Sequence, residues 1–349
     1  MSQAWSDLGA RQLAGFSLGF SLEDLVQPAR IFHAWITYIS VSNVYSGTRG
    51  DPLEPQRLEH RLWLMKAISA LSVRAQTRQD FAWFLIVDAG LPASYRAKWQ
   101  AIVSSRPNSH IVTYQPGKFE PLEWLHEAIE AQGGADYVPT TALDDDDAVR
   151  DRHCAYLRAH VDDLHRRGAL PELQFIGCEN PVQSDFRRAA GAPLGMCKPW
   201  IRRDYLGQDY PINAGFTLCS KYPELSLSVC AFKHSDVVNA CRPNHPKLSS
   251  KPALLSRLQA LRNLISSAAQ ASTLDWDGSL SLERNYHAVS LAMPQAVVVN
   301  HGDNIQQARL DEHLDWARPV TLPSTFAGIT VDAEFTAAFL AQLPPLART

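Results

Sequence analysis

Between residues 31 and 168, short apolar runs alternate with longer stretches whose apolar residues recur at helical spacing, and few folds accommodate that order. Ile31 to Val41 is rich in β-branched and aromatic residues and reads as a strand. Leu58, Leu62, Met65 and Ile68 then mark a helix over 56–75. Phe81 to Val87 is a continuous apolar run ending in Asp88-Ala89-Gly90. That is the pattern of a buried parallel strand that exposes an acid at its carboxyl end. Tyr95, Trp99, Ile102 and Val103 mark a second helix, His110 to Tyr114 a third strand, and Leu122, Leu125 and Ile129 a helix over 120–132. A fourth strand begins at Tyr137, and Leu157, Val161 and Leu164 lie on a helix closed by Arg166, Arg167 and Gly168. The alternation predicts an α/β fold with a mainly parallel sheet flanked by helices on both faces. Ligands in such sheets sit beyond the carboxyl ends of the strands.

The fourth strand delivers Asp144, Asp145, Asp146 and Asp147 to that edge. Two like charges about 4 Å apart repel by roughly 1 kcal/mol in water and roughly 4 kcal/mol at a protein-like dielectric. Crowded carboxylates therefore stay hydrated or collect a cation, and hard divalent cations take oxygen ligands. An extended backbone through the run would put Asp144 and Asp146 on one side, as a two-carboxylate grip. A helix is expected directly after the run, where exposed N–H groups favour anions. The plain alternative is a solvated acidic loop.

The second half is less regular. Leu173 to Gly177 reads as a strand, 179–200 is rich in Pro and Gly, and 211–218 reads as a turn entering a strand. A helix is expected around Val229 to Val238, another carries Leu258, Leu261 and Ile265, and Ala296 to Val299 forms a late strand. The expected organisation is an N-terminal extension over 1–29, an α/β domain over 30–245, and a C-terminal helical segment with a closing strand over 246–349, packed on the same domain. A net charge of −3 gives no electrostatic case for nucleic acid. The six cysteines contain no C-x-x-C pair, and no apolar run approaches 18 residues. A cytoplasmic protein without a membrane span is the expectation.

Arg61-Leu62-Trp63-Leu64, Leu71 to Thr77, Asp80 to Asp88 and Thr140 to Ala148 together resemble the bacterial rhamnosyltransferase-like family of A-type-fold, Rossmann-like glycosyltransferases. Ala142 stands where that family more often has Arg. The resemblance covers about 31–305 and is firmest over 57–150. It implies a metal-dependent enzyme that moves a sugar from a nucleotide diphosphate sugar to a hydroxyl acceptor, such as a growing bacterial surface glycan, with inversion. It also implies that Mn²⁺ or Mg²⁺ is held in an Asp-x-Asp motif by Asp144 and Asp146, with Asp147 an alternative ligand. Asp144, Asp145 and Asp147 would lie against the nucleotide sugar, and Asp88 would contact the nucleobase.

The same resemblance implies a base after a Gly-containing strand. Asn213-Ala214-Gly215-Phe216 followed by Lys233-His234-Ser235-Asp236 fits, with Asp236 the candidate, His234 its neighbour or substitute, and Ser235-Asp236 standing where an acidic pair is more familiar. Asp236 as a helix cap with Ser235 is the structural alternative. Glu179 is a further candidate base, and His301 a candidate third metal ligand after the late strand. Two competing functions remain open at this point: a sugar-1-phosphate nucleotidyltransferase, for which Gly47-Thr48-Arg49-Gly50 is a poor phosphate loop, and a non-catalytic protein using the acidic run as a Ca²⁺ clamp.

Overall fold

The computed structural model describes residues 27–39, 51–114, 123–178, 182–185, 196–199, 213–232, 234–241, 252–270, 280–289 and 296–300. Strand β1 (His33–Ile39) is followed by a helical segment made of α1 (Pro55–Leu64), a π-helical stretch over Met65–Ser69, and α2 (Ala70–Arg74). Then come β2 (Phe81–Asp88), α3 (Ala93–Val103), β3 (Ser109–Tyr114), α4 (Glu123–Ala131), β4 (Tyr137–Ala142), β5 (Ala148–Val149) and α5 (His153–Arg166). The second half supplies β6 (Leu173–Cys178), β7 (Val182–Asp185), β8 (Met196–Pro199), β9 (Thr217–Lys221), α6 (His234–Ala240), α7 (Pro252–Gln270), α8 (Leu282–Asn285), β10 (Tyr286–Val289) and β11 (Ala296–Asn300).

Seven strands form one sheet in the order β10-β6-β9-β4-β1-β2-β3, in which β9 alone runs antiparallel to its neighbours β4 and β6. The expected mainly parallel α/β architecture is the one observed. Two-residue alternation explains how it is covered. Trp35, Ile39, Phe81, Trp83, Leu85 and Val87 face one way and pack with Leu58, Leu62, Trp99, Leu157 and Val161 of α1, α3 and α5. Ala34, Ile36, Ala82, Phe84 and Ile86 face the other way, against Leu125 and Ile129 of α4. On that second face α6 and α7 continue the layer, with Val237, Leu258 and Ile265 packed on Phe175, Phe216 and Leu218.

The strand order locates the crevice. From β1 the chain moves outward to β2 and β3, then returns to place β4 on the opposite side of β1. The reversal lies between β1 and β4, and in open α/β sheets ligands bind outside the carboxyl ends of the strands at such a point. Asp144 lies two residues beyond the last residue of β4.

Three details differ from the sequence expectations. The acidic run is followed by β5, and α5 begins only at His153, so no helix N-terminus adjoins the four carboxylates. The helix expected around Val229–Val238 is two pieces, a 3₁₀ turn over Val229–Ala231 and then α6. A second, four-stranded sheet in the order β5-β11-β7-β8 had no counterpart in the sequence reading. The late strand joins it: β11 runs antiparallel to β5, with Ala296 opposite Val149 and Val297 opposite Ala148, and therefore heads towards the acidic run. Among the described residues, Cys154, Cys178, Cys219, Cys230 and Cys241 are free thiols. Among the described residues no helix is long and apolar enough to cross a membrane.

Candidate active site

The acidic run is a turn. The Asp147 N–H donates to the Asp144 carbonyl at 3.3 Å, with Asp145 and Asp146 at the corner. The extended alternation predicted for Asp144 and Asp146 is thus not the reason these two come together; the turn gathers them and adds Asp147. Each of the three can bring one carboxylate oxygen into a group spanning no more than 4.8 Å. Asp146 is 7% exposed and Asp147 4%, whereas a solvated acidic loop would leave its carboxylates in water.

Asp145 is not part of that group. It is completely buried, and both of its oxygens accept from Arg61: Nε donates to Oδ2 at 3.0 Å, and Nη2 donates to Oδ1. The same guanidinium donates from Nη1 to Asp146 Oδ2 at 2.9 Å. The expectation that Asp145 lies against a nucleotide sugar does not fit this geometry, because the side chain is enclosed and occupied.

Asp144 is held from the opposite side, where Asn213 Nδ2 donates to its Oδ1 at 2.8 Å. Burial pushes the Asp144 carboxyl up to about 6, the Asp146 charge adds to this, and the Asn213 hydrogen bond and the Arg61 charge oppose it. Burial pushes Asp145 upward as well, with the Arg61 charge opposing.

The turn 213–216 that supplies Asn213 is fastened to β4. Gly215 N–H donates to the Ala142 carbonyl at 2.9 Å, and the Ala142 N–H donates to the Phe216 carbonyl at 2.8 Å. Beneath it, His153 Nε2 donates to the Gly215 carbonyl at 3.2 Å, and burial lowers the His153 pKa to about 4. Thr141 Oγ1 lies 2.7 Å from Thr217 Oγ1 and 2.8 Å from His33 Nε2. His33 Nε2 also accepts from Trp35 Nε1 at 3.0 Å, so its proton sits on Nδ1, facing Cys154 Sγ at 3.6 Å. This buried polar chain ties β1, β4 and β9 together.

Asp88 ends β2 at the same edge of the sheet, and its Oδ1 accepts from the Gly90 N–H at 2.7 Å. His234 opens α6, and its ring meets that of Phe216 edge-on at 6.4 Å between centroids. Asp236 is 5% exposed and falls inside the first turn of α6, not at a cap. The turn 213–216 therefore touches both the acidic turn and the start of α6. Glu179 and His301 lie outside the described residues.

Sequence reasoning assigned no role to Arg61, His153 or Asn213. Arg61 and Asn213 stand in stretches already singled out, but nothing local says that either reaches the acidic turn, 84 and 69 residues away.

The fold and the carboxylate cup together describe an α/β protein with a candidate ligand site at the switch point of a mainly parallel sheet. More narrowly, residues 51–171 match the family model described as "Putative rhamnosyl transferase", which confirms the resemblance over the stretch from α1 through α5, including Arg61, Asp88 and the whole acidic run. No curated protein matches the chain. Among solved structures, S. aureus TarS 1-349 in complex with UDP-GlcNAc aligns over 79% of this chain and 60% of that one, at 10% identity and a TM-score of 0.31. A "putative nucleotide-diphospho-sugar transferase" from Desulfovibrio desulfuricans G20 aligns over 90% of this chain and 98% of that one, at 8% identity and 0.32. A "Putative Glucose-1-Phosphate Thymidylyltransferase" from Bacillus anthracis aligns over 82% and 98%, at 8% identity and 0.29. Likeness at this level transfers no ligand and no activity.

Proposed function

We propose that the protein transfers a sugar from a nucleoside diphosphate sugar to a hydroxyl of a glycan acceptor, of the kind found in bacterial surface polysaccharides, and that the acidic turn holds a divalent cation for this purpose. The observation that carries the reading is the cup of Asp144, Asp146 and Asp147, three oxygen donors gathered within 4.8 Å, two of them buried and Asp144 half-buried, at the sheet's switch point. An all-oxygen set suits Mg²⁺ or Mn²⁺. The raised Asp144 carboxyl is the physical sign of fit, since crowded buried carboxylates gain most from a nearby positive charge.

When bound, such a cation supplies Lewis-acid neutralisation of charge on the departing diphosphate. The remaining work falls to the chain's own side chains. Asp88, at the same edge as the cup, is the candidate contact for the nucleobase. Asp236 is the candidate base: it takes the acceptor's hydroxyl proton as that oxygen bonds the anomeric carbon, while the bond to the diphosphate breaks and its electron pair leaves with the diphosphate. His234, on the edge of Phe216, is its neighbour or substitute, and Glu179 remains an alternative. An attack from the face opposite the leaving group inverts the anomeric centre. His301, outside the described residues, is kept as the candidate further ligand.

Calorimetry with UDP, GDP and dTDP, each with and without Mn²⁺, tests this reading. Nucleotide binding that depends on Mn²⁺ is expected. Ca²⁺ binding indifferent to every nucleotide would replace the transferase with a structural clamp.

A further inference from the structure

We propose that Arg61 is the positioning residue of the acidic turn, which sorts four successive carboxylates into one anchor and three ligands. The inference rests on the reading of Asp144, Asp146 and Asp147 as cation ligands and adds to it the reason why Asp145 is not one.

A guanidinium beside a cation site needs explaining, because its charge repels the cation it adjoins. Its geometry supplies the reason. Two of its nitrogens close on the two oxygens of Asp145, which is 0% exposed, and the third reaches Asp146 Oδ2 at 2.9 Å. A planar fork of this kind fixes orientation as well as charge. Asp145 is thereby held in the interior with both oxygens engaged, while Asp146, which shares the guanidinium, still joins Asp144 and Asp147 in the cup.

The anchor is itself rigid. Arg61 sits on α1 between buried Leu58, Leu62, Trp63 and Leu64, so the helix cannot follow the turn if the turn moves. The same helical segment grips the far side of the acidic run. Ser72 Oγ accepts from Val149 N and donates to the Val149 carbonyl, both at 2.9 Å. Two residues past the end of α2, Gln76 donates to the Arg150 carbonyl at 2.8 Å and accepts from Cys154 N at 2.9 Å. One helical segment and its continuation thus hold the run at Asp145 and again at Val149–Cys154, and the three cup residues lie on or beside that span.

The sign of the effect separates positioning from simple charge. Were Arg61 only a nearby positive charge, removing it would tighten cation binding. As a positioning residue, its loss weakens binding, by about 10- to 100-fold as for other groups that orient metal ligands.

The test is titration of the full chain with Mn²⁺ alone, followed by calorimetry or by the electron paramagnetic resonance signal of free Mn²⁺. Arg61→Lys keeps the charge and loses the fork. The pair Arg61→Met with Asp145→Asn removes both buried charges together, so that no carboxylate is left unpaired in the interior. Circular dichroism confirms that each variant is folded. Both should bind Mn²⁺ at least about tenfold more weakly than the natural protein. Wild-type affinity in Arg61→Lys, or tighter binding in the double variant, would overturn the proposal while leaving the cation site standing. Absence of Mn²⁺ binding by the natural protein would remove the cation reading itself, and this inference with it.

Discussion

Gly215 and His153 fit so closely that a Cβ on the glycine would lie 2.8 Å from the imidazole Cε1 and 2.9 Å from Nε2. The backbone at Gly215 has φ +77°, a conformation side-chain-bearing residues seldom adopt. Strain and collision therefore coincide at the turn that carries Asn213 to Asp144.

Gly215→Ala should cost about 2–4 kcal/mol, the sum of a left-handed alanine and an overpacked contact. Urea unfolding at unchanged slope measures it through the midpoint. A midpoint equal to that of the natural protein would show that the turn adjusts freely, contrary to its hydrogen bonds with Ala142.

Asp146→Ala takes one donor from the cup but leaves Arg61 its two bonds to Asp145. The variant should keep its far-ultraviolet circular dichroism and lose measurable Mn²⁺ binding. Retained binding at natural strength would mean that the cation is held elsewhere.

Asp236→Asn keeps the shape of the side chain and removes its capacity to accept a proton. Donor binding should survive, while transfer slows by about 10²- to 10⁴-fold, the usual contribution of a positioned acid or base. Single-turnover rates set beside the donor Kd decide the matter, and unchanged turnover would pass the role to His234 or Glu179.

His33 and His153 are buried, and desolvation lowers their pKa values to about 3 and about 4 from an unfolded value of 6.5. Between those limits the unfolded chain binds protons that the folded chain does not. Their contribution to stability is thus fully present above pH 6.5 and is lost as the pH falls towards 4. The loss is about 1.4 kcal/mol per pH unit for each residue, before other groups are counted. In His153→Gln the amide can still donate to the Gly215 carbonyl but cannot titrate. Its unfolding free energy should fall less steeply between pH 6.5 and 4.5 than that of the natural protein, and parallel curves would contradict the assignment.

Much of the architecture is legible locally. Phe81 to Val87 announces a strand covered on both faces, and it lies between parallel neighbours with its two sets of side chains in separate cores. What escaped notice is short or depends on a distant partner. β5 has two residues and no periodicity of its own; it is a strand because β11, nearly 150 positions later, lies beside it. β7 and β8 sit in a stretch rich in Pro and Gly whose composition signals a loop. The extended reading of Asp144 to Asp146 failed because period-two alternation holds only while ladder partners persist. Those of β4 end at Ala142 on the β1 side and Thr141 on the β9 side.

The amino-acid order alone determined that strands and helices alternate and that four carboxylates arrive at the end of the fourth strand, because burial periodicity and strand termination are properties of neighbouring residues. Which carboxylate turns inward and which three form a cup was decided by tertiary structure. Four identical side chains in a row differ only in what surrounds them, and here the difference comes from Arg61, 84 residues before Asp145, and Asn213, 69 residues after Asp144.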